Sequence, residues 1–121
     1  MTNVYAIIHP EGYAKIGKAK APYKRFEDIR PYSPYTLELF AVLSTDGDAL
    51  DLEARIHTQL EAKRVSGEWF EMDKTGVMEV FKEVADKDDE VFSLRKVEFE
   101  RHGEKDRDFP NQTGFSKAGE L

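Results

Sequence analysis

The chain contains no cysteine, no run of about 18 apolar residues and no excess of basic residues. Without cysteine it cannot form disulfides or thiolate metal sites, so any metal must be bound by oxygen or imidazole ligands. The lack of a long apolar run argues against a membrane-spanning helix, and we expect no membrane partner. The apolar segment that begins at Val4 follows no basic leader, which predicts a cytoplasmic location.

The net charge of −6 at first argues against a nucleic-acid partner, because Lys and Arg make the phosphate contacts that dominate such binding. The charge is, however, unevenly distributed along the chain. Residues 13–30 contain six basic and two acidic residues, a local charge of +4, whereas residues 86–121 contain 7 basic and 10 acidic residues. The basic cluster is either an ordinary solvated face or a surface for an anionic partner.

Short runs rich in β-branched and aromatic residues predict strands over residues 4–9, 13–19, 37–44 and 68–72. Between the first two strands, Pro10-Glu11-Gly12 is typical of a hairpin turn. Apolar residues at helical spacing predict helices over residues 22–30, 48–62 and 74–85. Asp48 is the expected N-cap of the second helix, because its short side chain can accept hydrogen bonds from the first turn.

A chain of 121 residues with 40% hydrophobic content is sized for one domain with a modest core. These elements predict a compact α/β core at residues 1–85 and a charged C-terminal extension at residues 86–121. One further helix or strand is expected early in the extension. From Gly103 onward the chain is polar, which predicts disorder.

The most informative segment places Glu53 and His57 four residues apart, shortly before Gly67-Glu68-Trp69-Phe70. Residues at this spacing share one helix face, so a metal ligand and a proton-transfer group can reach the same site. Tyr5, Lys15 and Arg25 lie upstream. This combination of residue types is typical of a small enzyme that cleaves phosphodiesters.

The ordered motifs Val4-Tyr5, Lys15-Ile16-Gly17, Pro22-Tyr23-Lys24-Arg25, Glu53 with His57, and Gly67-Glu68-Trp69-Phe70 resemble the GIY-YIG nuclease superfamily. The likeness is to its phage and bacterial branch and covers about residues 3–72. It implies an α+β fold in which a small three-stranded antiparallel sheet is flanked by helices. It also implies DNA as the partner and Mg2+ or Mn2+ as the cofactor of an endonuclease.

The resemblance implies a catalytic role for five residues. Tyr5 would position and deprotonate the attacking water, and Arg25 would hold the scissile phosphate. Glu53 would bind the metal, with His57 one helical turn away to exchange a proton. Lys15 occupies the position at which the founding GIY-YIG motif has its second tyrosine. A lysine at this position replaces a phenol with a point charge suited to phosphate.

Further residues are expected to support this site. Gly17 would allow close approach of the backbone, and Glu68 would order the site or assist the metal. We expect Trp69 and Phe70 to be core residues, and we assign no role to His9 and His102. Nucleic-acid contacts are predicted for the following polar residues: Tyr13, Lys18, Lys24, Arg30, Lys63 and Arg64.

Three functions remain open from the sequence. The first is a metal-dependent endonuclease that hydrolyses DNA phosphodiester bonds. The second is a non-catalytic nucleic-acid-binding module of the same fold, which the lysine at position 15 favours. The third is a structural or partner-binding phage-type protein, which the acidic balance favours.

Overall fold

Six antiparallel strands form a single sheet in the computed structural model, which describes residues 2–97. The strands are β1 (Thr2–His9), β2 (Tyr13–Ala19), β3 (Glu38–Thr45), β4 (Arg64–Ser66), β5 (Trp69–Glu71) and β6 (Val91–Lys96). Their order across the sheet is β4-β5-β2-β1-β3-β6. The fold is α+β, and the prediction of a three-stranded sheet is wrong.

The additional strands extend the sheet at both edges. The short β4–β5 hairpin turns at Gly67, which has a φ of 55°, and β5 pairs with β2 so that Phe70 lies opposite Ala14. On the other side, β6 pairs with β3 and places Leu94 opposite Leu43. The sequence pattern predicted β5 within residues 68–72 and a further element early in the C-terminal extension, where β6 lies. It gave no signal for β4, because a strand of three residues is too short to show an alternating pattern.

The hairpin between β1 and β2 fixes the register on which the site depends. Gly12 adopts a φ of 98° in the turn, and its amide donates to the His9 carbonyl at 3.1 Å. This turn pairs Tyr5 with Gly17 and Ile7 with Lys15. Tyr5, the tyrosine of the first motif, thus lies opposite Gly17 on the neighbouring strand.

Three helices cover the sheet: α1 (Pro22–Ile29), α2 (Ala49–Gln59) and α3 (Lys74–Lys87). The predicted N-cap Asp48 is confirmed, since its side chain accepts from the amides of Leu50 and Asp51. Helix α2 ends three residues earlier than predicted and continues into a 3-10 turn at Glu61–Lys63. Helix α1 passes likewise into a 3-10 turn at Arg30–Tyr32.

The two faces of the sheet have separate cores. Helices α2 and α3 pack on one face, where Phe70 is fully buried with Ile16 and Ile56. Helix α1 packs on the other face through Phe26, beside the buried Tyr5. Because alternate residues of a strand point to opposite faces, Lys15 and Gly17 face the side of α1.

None of the helices within residues 2–97 is long and apolar enough to cross a membrane. The sheet continues past residue 85 because β6 joins it. The predicted polar segment from Gly103 onward and His102 lie outside the described residues.

Candidate functional site

Gly17 lies at the centre of the candidate site because two side chains close over its backbone. A Cβ atom at this position would lie 2.5 Å from Tyr5 Oη and 2.9 Å from Glu68 Oε1. Such distances are shorter than any tolerable contact, and the Tyr5 ring has no space to move in a packed interior. A residue with a side chain therefore cannot replace Gly17 without displacing the site.

The guanidinium of Arg25, which extends from α1, lies close enough to the buried phenol of Tyr5 to affect its pKa. Burial raises the pKa of Tyr5 above its ordinary value, and the interaction with Arg25 opposes this effect without overcoming it. Tyr5 is therefore a neutral phenol at neutral pH. Arg25 itself is exposed, so N–H groups of its guanidinium face solvent.

Lys15 pairs with Glu68 rather than pointing freely into solvent. Its Nζ lies 2.8 Å from Glu68 Oε1, and the Lys15 side chain is only 15% exposed. The partners are 53 residues apart in sequence, and the backbone supports their pairing because Ile16 N donates to the Glu68 carbonyl at 2.9 Å. The ammonium group thus positions a carboxylate beside Gly17.

A second carboxylate reaches the same place from α2. Glu53 is 8% exposed, and its carboxyl group lies close enough to Glu68 for the two groups to interact electrostatically. Burial, and then the charge of Glu68, raise the pKa of Glu53, while the nearby charges of His57 and Lys18 oppose the rise. Among the described residues, Oε2 of Glu53 has no hydrogen-bond partner. The carboxyl groups of Glu53 and Glu68 therefore lie together, and Oε2 of Glu53 is buried without a hydrogen-bond partner in the described part of the chain.

The carboxylates of Glu53 and Glu68 are oxygen donors, which suit a hard cation such as Mg2+. No group of three or more His, Cys, Asp or Glu side chains within residues 2–97 is arranged to hold a metal ion. Mg2+ nevertheless binds proteins through one or two carboxylates and completes its shell with water and substrate phosphate. Glu53 and Glu68 supply such a pair, and the unsatisfied oxygen of Glu53 is available to a cation.

Comparison with known proteins identifies the family. Residues 3–85 match the T5orf172 domain. The chain belongs to the T5orf172 domain family. This is a phage-associated domain related to nucleic acids. No curated protein and no solved structure matches the chain significantly.

In this T5orf172 domain, His57 fastens α2 to the sheet. Its Nε2 lies 2.8 Å from the Ile16 carbonyl, and its ring is 5.0 Å from that of Phe70. Because a carbonyl can only accept, Nε2 carries the proton in this contact. His57 therefore positions Glu53, one turn earlier on α2, against the strand that carries Gly17.

Several residues predicted to contact nucleic acid form ion pairs with acidic side chains of the same chain. These ion pairs are Lys24–Asp28 at 3.9 Å, Arg30–Glu27 at 3.0 Å and Arg64–Glu61 at 3.0 Å. Arg64 also donates to the Gly67 carbonyl and lies over the Phe70 ring, so it stabilises the β4–β5 turn. Lys18 and Lys63 are exposed, and of these Lys18 is close enough to influence Glu53.

Asn3 is a positioning residue that the sequence did not reveal. Its Nδ2 donates to the carbonyls of Ala19 and Lys20, at 3.2 and 3.1 Å, and its Oδ1 accepts from Ser44 Oγ at 2.6 Å. These bonds fix the connection between β2 and α1, and thereby the helix that carries Arg25. Asparagine in a strand gives no local signal of such a role.

Proposed function

We propose that this T5orf172 domain is a metal-dependent endonuclease of the GIY-YIG type that hydrolyses DNA phosphodiester bonds. The observation that carries the proposal is the convergence around Gly17 of a phenol, a guanidinium and two carboxylates from separate parts of the chain. Hydrolysis of a phosphodiester needs positioning and stabilisation of developing negative charge, and these groups supply both. The proposed activity agrees with a cytoplasmic location.

Arg25 is the phosphate-binding residue in this proposal. It is exposed, it lies near Tyr5, and its donors form a planar fork that matches phosphate oxygens. Lys15 adds positive charge on the same face of the sheet, although Glu68 neutralises part of it. The phosphate would therefore be held mainly by the guanidinium.

Tyr5 accepts the proton of the attacking water. As the water oxygen forms its bond to phosphorus, the bond to the leaving deoxyribose oxygen breaks, the water proton passes to Tyr5 Oη, and the leaving oxygen takes up a proton from solvent. The phenol must first lose its own proton, which its raised pKa makes a minor event at neutral pH. Arg25 makes this form accessible, because its positive charge favours a phenolate beside it.

Glu53, with Glu68 beside it, would hold Mg2+ or Mn2+. The bound ion would supply neutralisation of charge on the phosphate and on the leaving oxygen. His57 and Lys15 contribute by holding these two carboxylates in place.

The deciding test of the function is DNA cleavage in Mg2+ or Mn2+ with variants of Arg25. We expect Arg25→Ala to reduce cleavage by roughly 100-fold or more, and Arg25→Lys to recover only a small part, because an ammonium cannot reproduce the planar fork. Binding should also weaken, and the log–log salt slope should become shallower by about 0.9, the contribution of one phosphate contact. Lys82→Ala, at an exposed position on α3, is the matched control for loss of one positive charge. Equal cleavage by wild type and Arg25→Ala would contradict the proposal.

The pH dependence of cleavage tests the role of Tyr5. Because burial raises its pKa, the reactive phenolate should increase throughout the neutral and mildly alkaline range, and the rate should rise about tenfold per pH unit. Tyr5→Phe should be slow and should lose this slope. The measurement is a single-turnover rate from about pH 6 to pH 9. A slope retained in Tyr5→Phe would assign the proton acceptor elsewhere.

A second candidate function is nucleic-acid binding without cleavage. The ion pair of Lys15 with Glu68 favours it, because this pair occupies the place of the second tyrosine in the founding motif. In either function, binding should weaken with salt, with a log–log slope of about −2.7 to −4.5 on duplex DNA for roughly three to five phosphates. Salt-dependent binding with no cleavage in either metal would support the second candidate, and a flat salt response would exclude both.

A further inference from the structure

Four aromatic side chains form a cluster beside the candidate site. The His9 ring lies 4.5 Å from Tyr35, 5.7 Å from Tyr13 and 6.0 Å from Trp69, measured between ring centres. They come from β1, the loop before β3, β2 and β5, respectively. Trp69, predicted to be a core residue, is half-buried and packs against the core that contains Tyr5, and His9 was assigned no role. We call these four residues the aromatic cluster.

Part of this cluster is open to solvent. Tyr35 is 45% exposed although its ring contacts His9, and the neighbouring Tyr32 is 89% exposed. Tyr13, His9 and Trp69 are each partly exposed. Grouped and exposed aromatic rings are unusual on a protein surface and mark places where an apolar ligand face binds.

The aromatic cluster is continuous with the phosphate site. Lys15 lies opposite Trp69 in the pairing of β2 with β5, and its Nζ is 6.0 Å from the centre of the indole ring. Lys15 is also two residues from Gly17 along β2, which corresponds to roughly 7 Å. Positive charge and aromatic surface thus adjoin at about the separation of a phosphate from a neighbouring nucleotide. Cationic grooves lined with aromatic rings are how proteins bind single-stranded nucleic acid.

We propose that the aromatic cluster stacks an unpaired base next to the scissile phosphate, so that the substrate class is single-stranded DNA or DNA with unpaired nucleotides. In a duplex both faces of each base are covered by neighbouring bases, and only an unpaired base can present a face to these rings. The inference rests on the proposed function, because it places the base relative to the phosphate held by Arg25.

Tryptophan fluorescence can report on base stacking against the aromatic cluster. The single tryptophan of the protein is Trp69, so intrinsic tryptophan fluorescence reports on the aromatic cluster alone. In the absence of divalent cations, oligo(dT) should quench this fluorescence. An abasic deoxyribose-phosphate strand of the same length carries the same charge and should bind roughly 5- to 100-fold more weakly, with little quenching. Equal quenching by both strands would overturn stacking.

Substitution of the exposed Tyr35 distinguishes the contribution of stacking to DNA binding from the contribution of charge. Tyr35→Ala should weaken oligo(dT) binding by roughly 5- to 100-fold without changing the salt slope, because stacking releases no counterions. Tyr35→Phe keeps the ring and should bind like wild type, and duplex binding should be the same for all three proteins. Thermal midpoints of the variants verify that each remains folded.

The outcomes distinguish this inference from the proposed function. If wild type binds and cleaves DNA and Tyr35→Ala binds single strands as tightly as wild type, the stacking role of the aromatic cluster is overturned and the proposed function stands. Equal losses on duplex and single strand would also overturn it, since a duplex offers no free base face. Wild type that binds no DNA would overturn both proposals.

Discussion

Glu53→Gln is expected to reduce DNA cleavage by about a thousand-fold or more, while binding to DNA without divalent cations stays within about twofold. Glutamine preserves the size of the side chain and its fit in the helix but removes the charge that would hold Mg2+. The loss should appear in the rate rather than in binding, because the charge on the phosphate develops mainly in the transition state. Single-turnover cleavage and binding in EDTA measure the two effects.

The same substitution should stabilise the metal-free protein at neutral pH. Folding raises the pKa of Glu53. Its carboxyl group therefore adds most to the free energy of unfolding at a pH below the pKa that Glu53 has in the unfolded chain. That contribution is lost as the pH rises through the folded pKa, which leaves a buried charge at neutral pH. Glutamine lacks the charge and can donate to Glu68, and we expect a gain of about 1 kcal/mol, or a few degrees in Tm.

Glu79→Gln is the matched control, because it makes the same chemical change at an exposed position on α3. It should alter neither cleavage nor Tm. Mg2+ should raise the Tm of wild type and of Glu79→Gln but not that of Glu53→Gln. If Glu53→Gln cleaves as fast as wild type, the activity resides elsewhere and the enzyme proposal fails.

Gly17→Ala should reduce cleavage by roughly 100-fold, through one added methyl group. The backbone of Gly17 lies outside the left-handed region, so alanine can adopt its conformation and the effect is purely steric. The new Cβ would displace both Tyr5 Oη and Glu68 Oε1, the atoms to which the proposal assigns water activation and carboxylate placement. Cleavage rates and Tm together measure the effect.

Gly76→Ala controls for the general effect of removing a glycine. It lies in α3, and the nearest atom to its added Cβ would be the Met72 methyl at 3.4 Å, an ordinary contact. This variant should fold and cleave like wild type. Full activity in Gly17→Ala would show that Tyr5 and Glu68 do not act from the positions seen here.

The local elements of this protein were largely predictable because their signals are local. Prolines 22 and 31 bracket the first helix region, and the Asp48 cap accepts bonds from residues two and three positions ahead. The side-chain types of Tyr5, Arg25 and Glu53, in this order and spacing, pointed to phosphodiester chemistry. What the spacing could not show was which residues meet.

Local sequence signals were enough to predict the helices and the central hairpin, and they indicated the residues that we propose act on phosphate. Contacts between distant segments became visible only in the folded chain: Glu68 pairs with Lys15 across 53 residues and lies near Glu53, His57 anchors a helix, and His9 joins three aromatic residues that are partly or largely exposed. The tertiary structure also decided that the sheet has six strands rather than three. The physical reason is that strand register and side-chain pairing between distant segments depend on packing, whereas helix caps and turns depend on neighbours in the chain.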